Sequence, residues 1–119
     1  MSEIIKLEDF KKIDIAVGEI LSVEKVLETD KLLKLSVDLG EATPRTIISG
    51  ISLYFPDCSV LVGKKCMFVA NLEPRTIRGI ESQGMILAVS TEDATPGDRQ
   101  VKFSLLEPNN EIPAGTRAK

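Results

Sequence analysis

Apolar and polar positions alternate along most of this chain. Leu33, Leu35, Val37 and Leu39 fall on one face and Lys34, Ser36 and Asp38 on the other, which predicts a half-buried strand over 33–39. Ile13, Ile15 and Val17, then Ile20 with Leu21, then Val23, predict a long first strand over 13–26. Gly18 interrupts it, and a glycine inside a strand pattern signals a bulge or sharp bend. Shorter apolar runs predict strands over 45–49, 66–69 and 84–90. Ahead of them, Ile4, Ile5, Leu7 and Phe10 are spaced loosely like one helical face, so a short helix or turn over 2–12 is expected to cover one end of the sheet structure. Residues 51–61 hold Pro56-Asp57 in an apolar segment, a short helical or irregular connection. Beyond the fifth strand come an exposed acidic loop (91–98), a further strand over 101–106 and a turn at Pro108-Asn109-Asn110. The alternation by itself predicts a small β barrel or sandwich. At 119 residues the chain reads as one domain, with the barrel at about 13–90 and an extension at about 91–119.

The connection between the fourth and fifth strands carries the chemistry. It reads Asn71-Leu72-Glu73-Pro74-Arg75-Thr76-Ile77-Arg78-Gly79-Ile80-Glu81-Ser82-Gln83-Gly84 and matches neither a tight hairpin nor a helix. Pro74 fixes its own φ, and Gly79 and Gly84 permit angles or close approaches that a side chain would block. Arg75 and Arg78 supply planar guanidinium forks that match phosphate oxygens. Asn71, Ser82 and Gln83 add neutral donors and acceptors for sugar or phosphate oxygens or base edges. For Asn71 and Ser82 the structural alternative is bracing of the loop backbone. For Met85, at the start of an apolar strand, it is a place in the core.

Composition narrows the function classes. Fifteen basic and eighteen acidic residues leave a formal charge of -3, which does not advertise a nucleic-acid binder. The charge is uneven, however. Residues 43–79 hold five bases against two acids, so the middle of the chain is locally basic. The absence of histidine removes the commonest general base and metal ligand. Cys58 and Cys66 are too far apart for a C-x-x-C motif, and Cys66 lies in an apolar run as a core residue. No phosphate-cradling G-x-x-x-x-G-K loop and no activated nucleophile is evident. The expectation is a non-catalytic module with no metal or cofactor. The charged N-terminus lacks the apolar core of a signal peptide, and no apolar run reaches membrane-spanning length, so a reducing cytoplasm is expected.

The loop also resembles a family signature. The pattern A-N-L-x-P-R-x-x-R-G-x-x-S-Q-G-M over 70–85 is similar to that of the tRNA-binding domain family, which includes stand-alone bacterial proteins and the C-terminal domain of many methionyl-tRNA synthetases. Further matches follow in the family's order: Asp9-Phe10, Val17-Gly18-Glu19-Ile20, Asp30-Lys31-Leu32, Val37-Asp38-Leu39-Gly40, Arg45-Thr46-Ile47-Ile48-Ser49-Gly50-Ile51 and Val62-Gly63-Lys64-Lys65. Ala16 and Glu19 stand where the family often has basic residues, and the His-Pro pair common in the family's first loop is missing.

The resemblance implies an all-β fold: a five-stranded OB-fold barrel with a short N-terminal helix and a C-terminal extension. Such barrels bind nucleic acid across strands two and three and through the loops after strands one and four. It implies tRNA as partner, read by folded shape, with contacts from Lys31, Arg45, Asn71, Arg75, Arg78, Ser82, Gln83 and Met85. None of these loops contains an aromatic residue, which disfavours a sequence-reading single-strand binder. Two arrangements follow: a tRNA-binding module, stand-alone or with methionyl-tRNA synthetase, and a homodimerisation domain with weak RNA binding.

Overall fold

Eleven residues with alternating burial form β1 (Ile15–Lys25), and two neighbours share it. Its first half pairs with β4 (Lys65–Val69), and its second half pairs with β2 (Leu33–Asp38). A strand that changes partners midway must bend. The bend is a register irregularity between Ile20 and Ser22 rather than at Gly18. Gly18 serves instead as a point of close approach: a Cβ there would lie 2.6 Å from Val37 and 2.7 Å from the Phe68 ring. The computed structural model describes residues 3–91 and 102–119.

The antiparallel sheet runs β3-β2-β1-β4-β7, with β3 at Arg45–Ser49 and β7 at Met85–Ile86. Two turns of 3-10 helix, Ser52–Tyr54 and Cys58–Leu61, form the connection after β3. The loop after β4 folds into two short strands, β5 (Arg75–Ile77) and β6 (Ile80–Ser82). The expected fifth strand divides at Leu87 into β7 and β8 (Ala88–Ser90), and β8 pairs with β9 (Phe103–Leu105). Inside, Ile20, Leu33, Leu35, Val37, Ile47, Leu61, Cys66 and Phe68 are fully buried. The alternation in 33–39 reports this core directly. Burial pushes the Cys66 thiol up to about 11.

The barrel closes between β3 and the segment after β6, and side chains complete the seam. Gln83 N–H donates to the Thr46 carbonyl at 2.8 Å, and Thr46 N–H donates back to Gln83 Oε1 at 3.0 Å. Ile48 N–H donates to Ser82 Oγ at 3.0 Å. The amide and hydroxyl thus stand in for the carbonyls of a paired strand. Gly84 fits because a Cβ there would sit 3.0 Å from the Val69 carbonyl and 3.2 Å from Ile47. This is a nearly closed, five-stranded OB-type barrel, the fold that the family resemblance implies.

The two ends of the chain meet beside β1. Val17 N–H donates to the Thr116 carbonyl, Gly115 N–H to Val17 and Ala118 N–H to Ile15. The tail therefore continues the sheet where β2 has ended. The helix α1 (Leu7–Phe10) is a single turn with no buried residue, contrary to the expected lid. Ile4, Ile5 and Leu7 stay 101%, 59% and 67% exposed. Of the expected acidic loop and further strand, residues 92–101 lie outside the described residues.

Candidate nucleic-acid interface

The arginine loop is a folded projection. β5 and β6 pair from Arg75↔Ser82 to Ile77↔Ile80, leaving Arg78 and Gly79 as a two-residue turn. Both have positive φ, 53° and 78°, which is the backbone of a type I′ hairpin turn. The sequence expectation of no tight hairpin is therefore corrected. Its source is an Arg-Gly turn, in which an arginine occupies the left-handed position that Asn or Asp usually takes. Such a position costs a non-glycine residue on the order of 1–2 kcal/mol.

Three fixings hold the base of the projection. Asn71 Oδ1 accepts from Asp14 N–H at 2.8 Å, while its amide donates to the Lys12 carbonyl at 2.6 Å. Ser82 and Gln83 form the seam with β3. Arg45 joins the two ends of the loop: its guanidinium donates to the Ala70 carbonyl and, at 3.1 Å, to the Gln83 carbonyl. The rest of the fork lies on Glu41, Nε to Oε1 and Nη2 to Oε2, both at 2.7 Å. Four of the five N–H donors of Arg45 are thereby used within the chain. The hydrogen bond from Arg45 holds Glu41 below its ordinary 4.5, and Glu41 in turn raises Arg45.

Three cations predicted from the sequence remain unengaged. Among the described residues Lys31, Arg75 and Arg78 make no ion pair. Arg78 and Ile80 form one wall of a groove of about 480 Å³, and Glu24, Lys25, Val26, Leu27, Glu28 and Lys34 form the other. This is the cleft between the loops after β1 and β4. Lys34 is paired with Glu24 at 3.2 Å, whereas Lys25 on the same wall makes no ion pair among the described residues. Arg75, Ser82 and Met85 line a separate hollow of about 340 Å³ with Ile48, Leu72, Glu73 and Gly84. Met85 is 45% exposed, so it lies outside the core. Arg45 and Asn71 line a third hollow, beside Asp14 and the 114–117 segment.

The eight candidate residues thus separate by place. Arg75 and Arg78 project, Met85 lines an open hollow, Lys31 sits exposed in the β1–β2 loop, and Arg45, Asn71, Ser82 and Gln83 hold the projection to the barrel. Lys25, at the end of β1, escaped sequence reasoning. Its only signal is its position at a strand end facing the arginine loop, which the chain alone does not reveal.

An OB-type barrel with a cation-bearing loop after its fourth long strand defines a nucleic-acid-binding class of small β module. The putative tRNA-binding domain family matches residues 15–117, and this chain belongs to that family. It is 45% identical over its full length to the methionine--tRNA ligase of Porphyromonas gingivalis, and 40% identical over 111 residues to that of Enterococcus faecalis. In each case it spans 16% of the ligase. Among solved structures, a MetRS related protein from Pyrococcus horikoshii superposes with a TM-score of 0.86 at 38% identity, over 99% of this chain and 100% of that one. The CsaA chaperone protein from Picrophilus torridus gives 0.80 at 28% identity, over 98% and 100%. No helix among the described residues is long and apolar enough to cross a membrane.

Proposed function

We propose that this chain is a non-catalytic module that binds folded tRNA through its phosphate backbone, working in the cytoplasm alone or beside a methionyl-tRNA synthetase. The observation that carries this reading is the presentation of Arg75 and Arg78. Neither makes an ion pair among the described residues, and both ride on a hairpin whose base is fixed by Arg45, Asn71, Ser82 and Gln83. A rigid mount reduces the ordering cost of gripping phosphate. Lys25 and Lys31 supply further positive charge near the β1–β2 loop. The family and the methionine--tRNA ligase relatives support tRNA as the partner. The loops offer no aromatic platform, so this reading puts the main share of recognition on the RNA backbone and overall shape. The neutral partners Asn71, Ser82 and Gln83 act through the hairpin they brace, and Arg45 presents at most its one remaining N–H.

The test is a tRNA titration with an unstructured RNA of equal length as competitor. Preferential tRNA binding is expected. Equal competition by the unstructured RNA would overturn shape recognition, and no binding at low salt would overturn the RNA role.

One observation favours self-association as well. Ile4, Ile5 and Leu7 are exposed, and Leu7, Phe10 and Ile13 share a hollow with Arg117, Ala118 and Lys119. Covering this apolar surface with a second copy gives a homodimer with two arginine hairpins. Sedimentation equilibrium is expected to show a dimer, and Ile5→Lys with Leu7→Lys is expected to return a monomer.

A further inference from the structure

The hollow beside Arg75 has a chemistry that phosphate binding does not explain. It shares no lining residue with the groove at Arg78. Its surface combines apolar and polar groups: on the apolar side Ile48 is only 7% exposed, while Leu72 and Met85 stand 47% and 45% open to solvent. Arg75 and Glu73 supply its charges. A phosphate would engage Arg75 and leave Leu72 and Met85 in water. A nucleotide engages both, because its flat apolar base and its anionic phosphate are covalently joined.

We propose that this hollow receives one unstacked nucleobase of the bound tRNA, with the adjoining phosphate on Arg75. This rests on the tRNA-binding reading and adds a site to it. Every base has a π-face, so the Met85 thioether and the Leu72 side chain accept it without demanding a sequence. The Glu73 carboxylate, which lines the hollow with Arg75, accepts N–H groups from the base edge, which favours bases that present an amino or ring N–H there. Folded RNAs offer such splayed bases in loops and bulges, whereas a regular duplex does not. The hollow therefore supplies a reason for a tRNA to be preferred over a plain helix of equal charge.

The test uses the full chain and a tRNA transcript. A benzophenone side chain introduced at position 85 is irradiated in the complex, and the crosslinked nucleotide is mapped. An abasic site is then placed there. The expected result is a crosslink to one unpaired nucleotide, and an affinity loss of about tenfold on removing its base, the upper end of what a thioether–ring contact is worth. Leu72→Ser and Met85→Ser are expected to cost a similar factor and to become insensitive to the abasic site, while Met85→Leu keeps most of the affinity. Both side chains are half exposed, so these variants keep the fold, which a thermal melt verifies. Wild-type binding that neither serine variant weakens overturns the base site and leaves the phosphate reading standing. A wild type that binds no tRNA overturns both. A leucine-rich decapeptide that binds the wild type and loses affinity in both serine variants, while tRNA affinity holds, places a peptide in the hollow and overturns the proposal.

Discussion

At the scale of single residues, the arginines of this chain divide by what their donors already hold. Arg45 looks in the sequence like Arg75 and Arg78, a cation at the edge of a strand. Its partners lie 25 and 38 positions away, at Ala70 and Gln83, so no local pattern discloses its role as a clamp. Its pairing with Glu41 gives a pH signature. Glu41 is held below 4.5 in the folded chain, chiefly by the hydrogen bond from Arg45. A depressed folded-state value means that the pair's contribution is complete above 4.5 and is lost as pH falls through the folded value. Urea unfolding between pH 7 and pH 3 is therefore expected to show an acid-labile component that Arg45→Gln lacks. Equal acid sensitivity in the two proteins would contradict it. Arg78 makes the opposite case. It occupies a left-handed backbone position at φ 53°, so Arg78→Asn is expected to raise stability by about 0.5–1 kcal/mol while weakening RNA binding. Denaturant melts and a binding titration on the same variant check both signs.

At the scale of elements, the strands were legible where burial is one-sided. Leu33, Leu35 and Val37 are fully buried and their neighbours partly open, so period two carries through to β2 unchanged. The β5–β6 hairpin was not legible. Its strands are three residues each, mostly exposed, and its turn uses Arg-Gly in place of Asn-Gly. Gly18 misled in a different way: the close approach of Val37 and Phe68, which requires a glycine, is a property of packed strands and not of the strand's own sequence. The seam with β3 was half legible, since Ser82 and Gln83 stood out as polar but their acceptor role needs Ile48 and Thr46 across the barrel. Ser82 is 5% exposed, and Ser82→Ala leaves the Ile48 N–H without its acceptor. A loss of about 1–3 kcal/mol is expected in urea unfolding, together with weaker RNA binding as the hairpin loosens. Full stability in that variant would show that the seam does not depend on the hydroxyl.

At the scale of the whole molecule, the fold places a small cationic projection on a chain of net charge -3. Net acidity limits indiscriminate attraction to nucleic acid, and the local bases are the contact points that the proposed function requires. Barrel and projection are parts of one device: the seam that closes the barrel is also the mount that fixes the arginines. This coupling predicts that variants in the seam lose affinity without losing phosphate-contacting charge. Alanine variants of the two arginines are expected to lose affinity and leave stability nearly unchanged, because neither side chain has an ion-pair partner among the described residues.

The salt dependence of tRNA affinity, compared between the native chain and Arg75→Ala/Arg78→Ala, addresses the phosphate-contacting role most directly. Each phosphate that the protein no longer neutralises takes roughly one unit off the slope of log affinity against log salt. A slope reduced by about two in the variant, with an unchanged thermal melt, is the predicted result. A variant that binds tRNA with the native slope would show that the hairpin arginines do not touch the phosphate backbone.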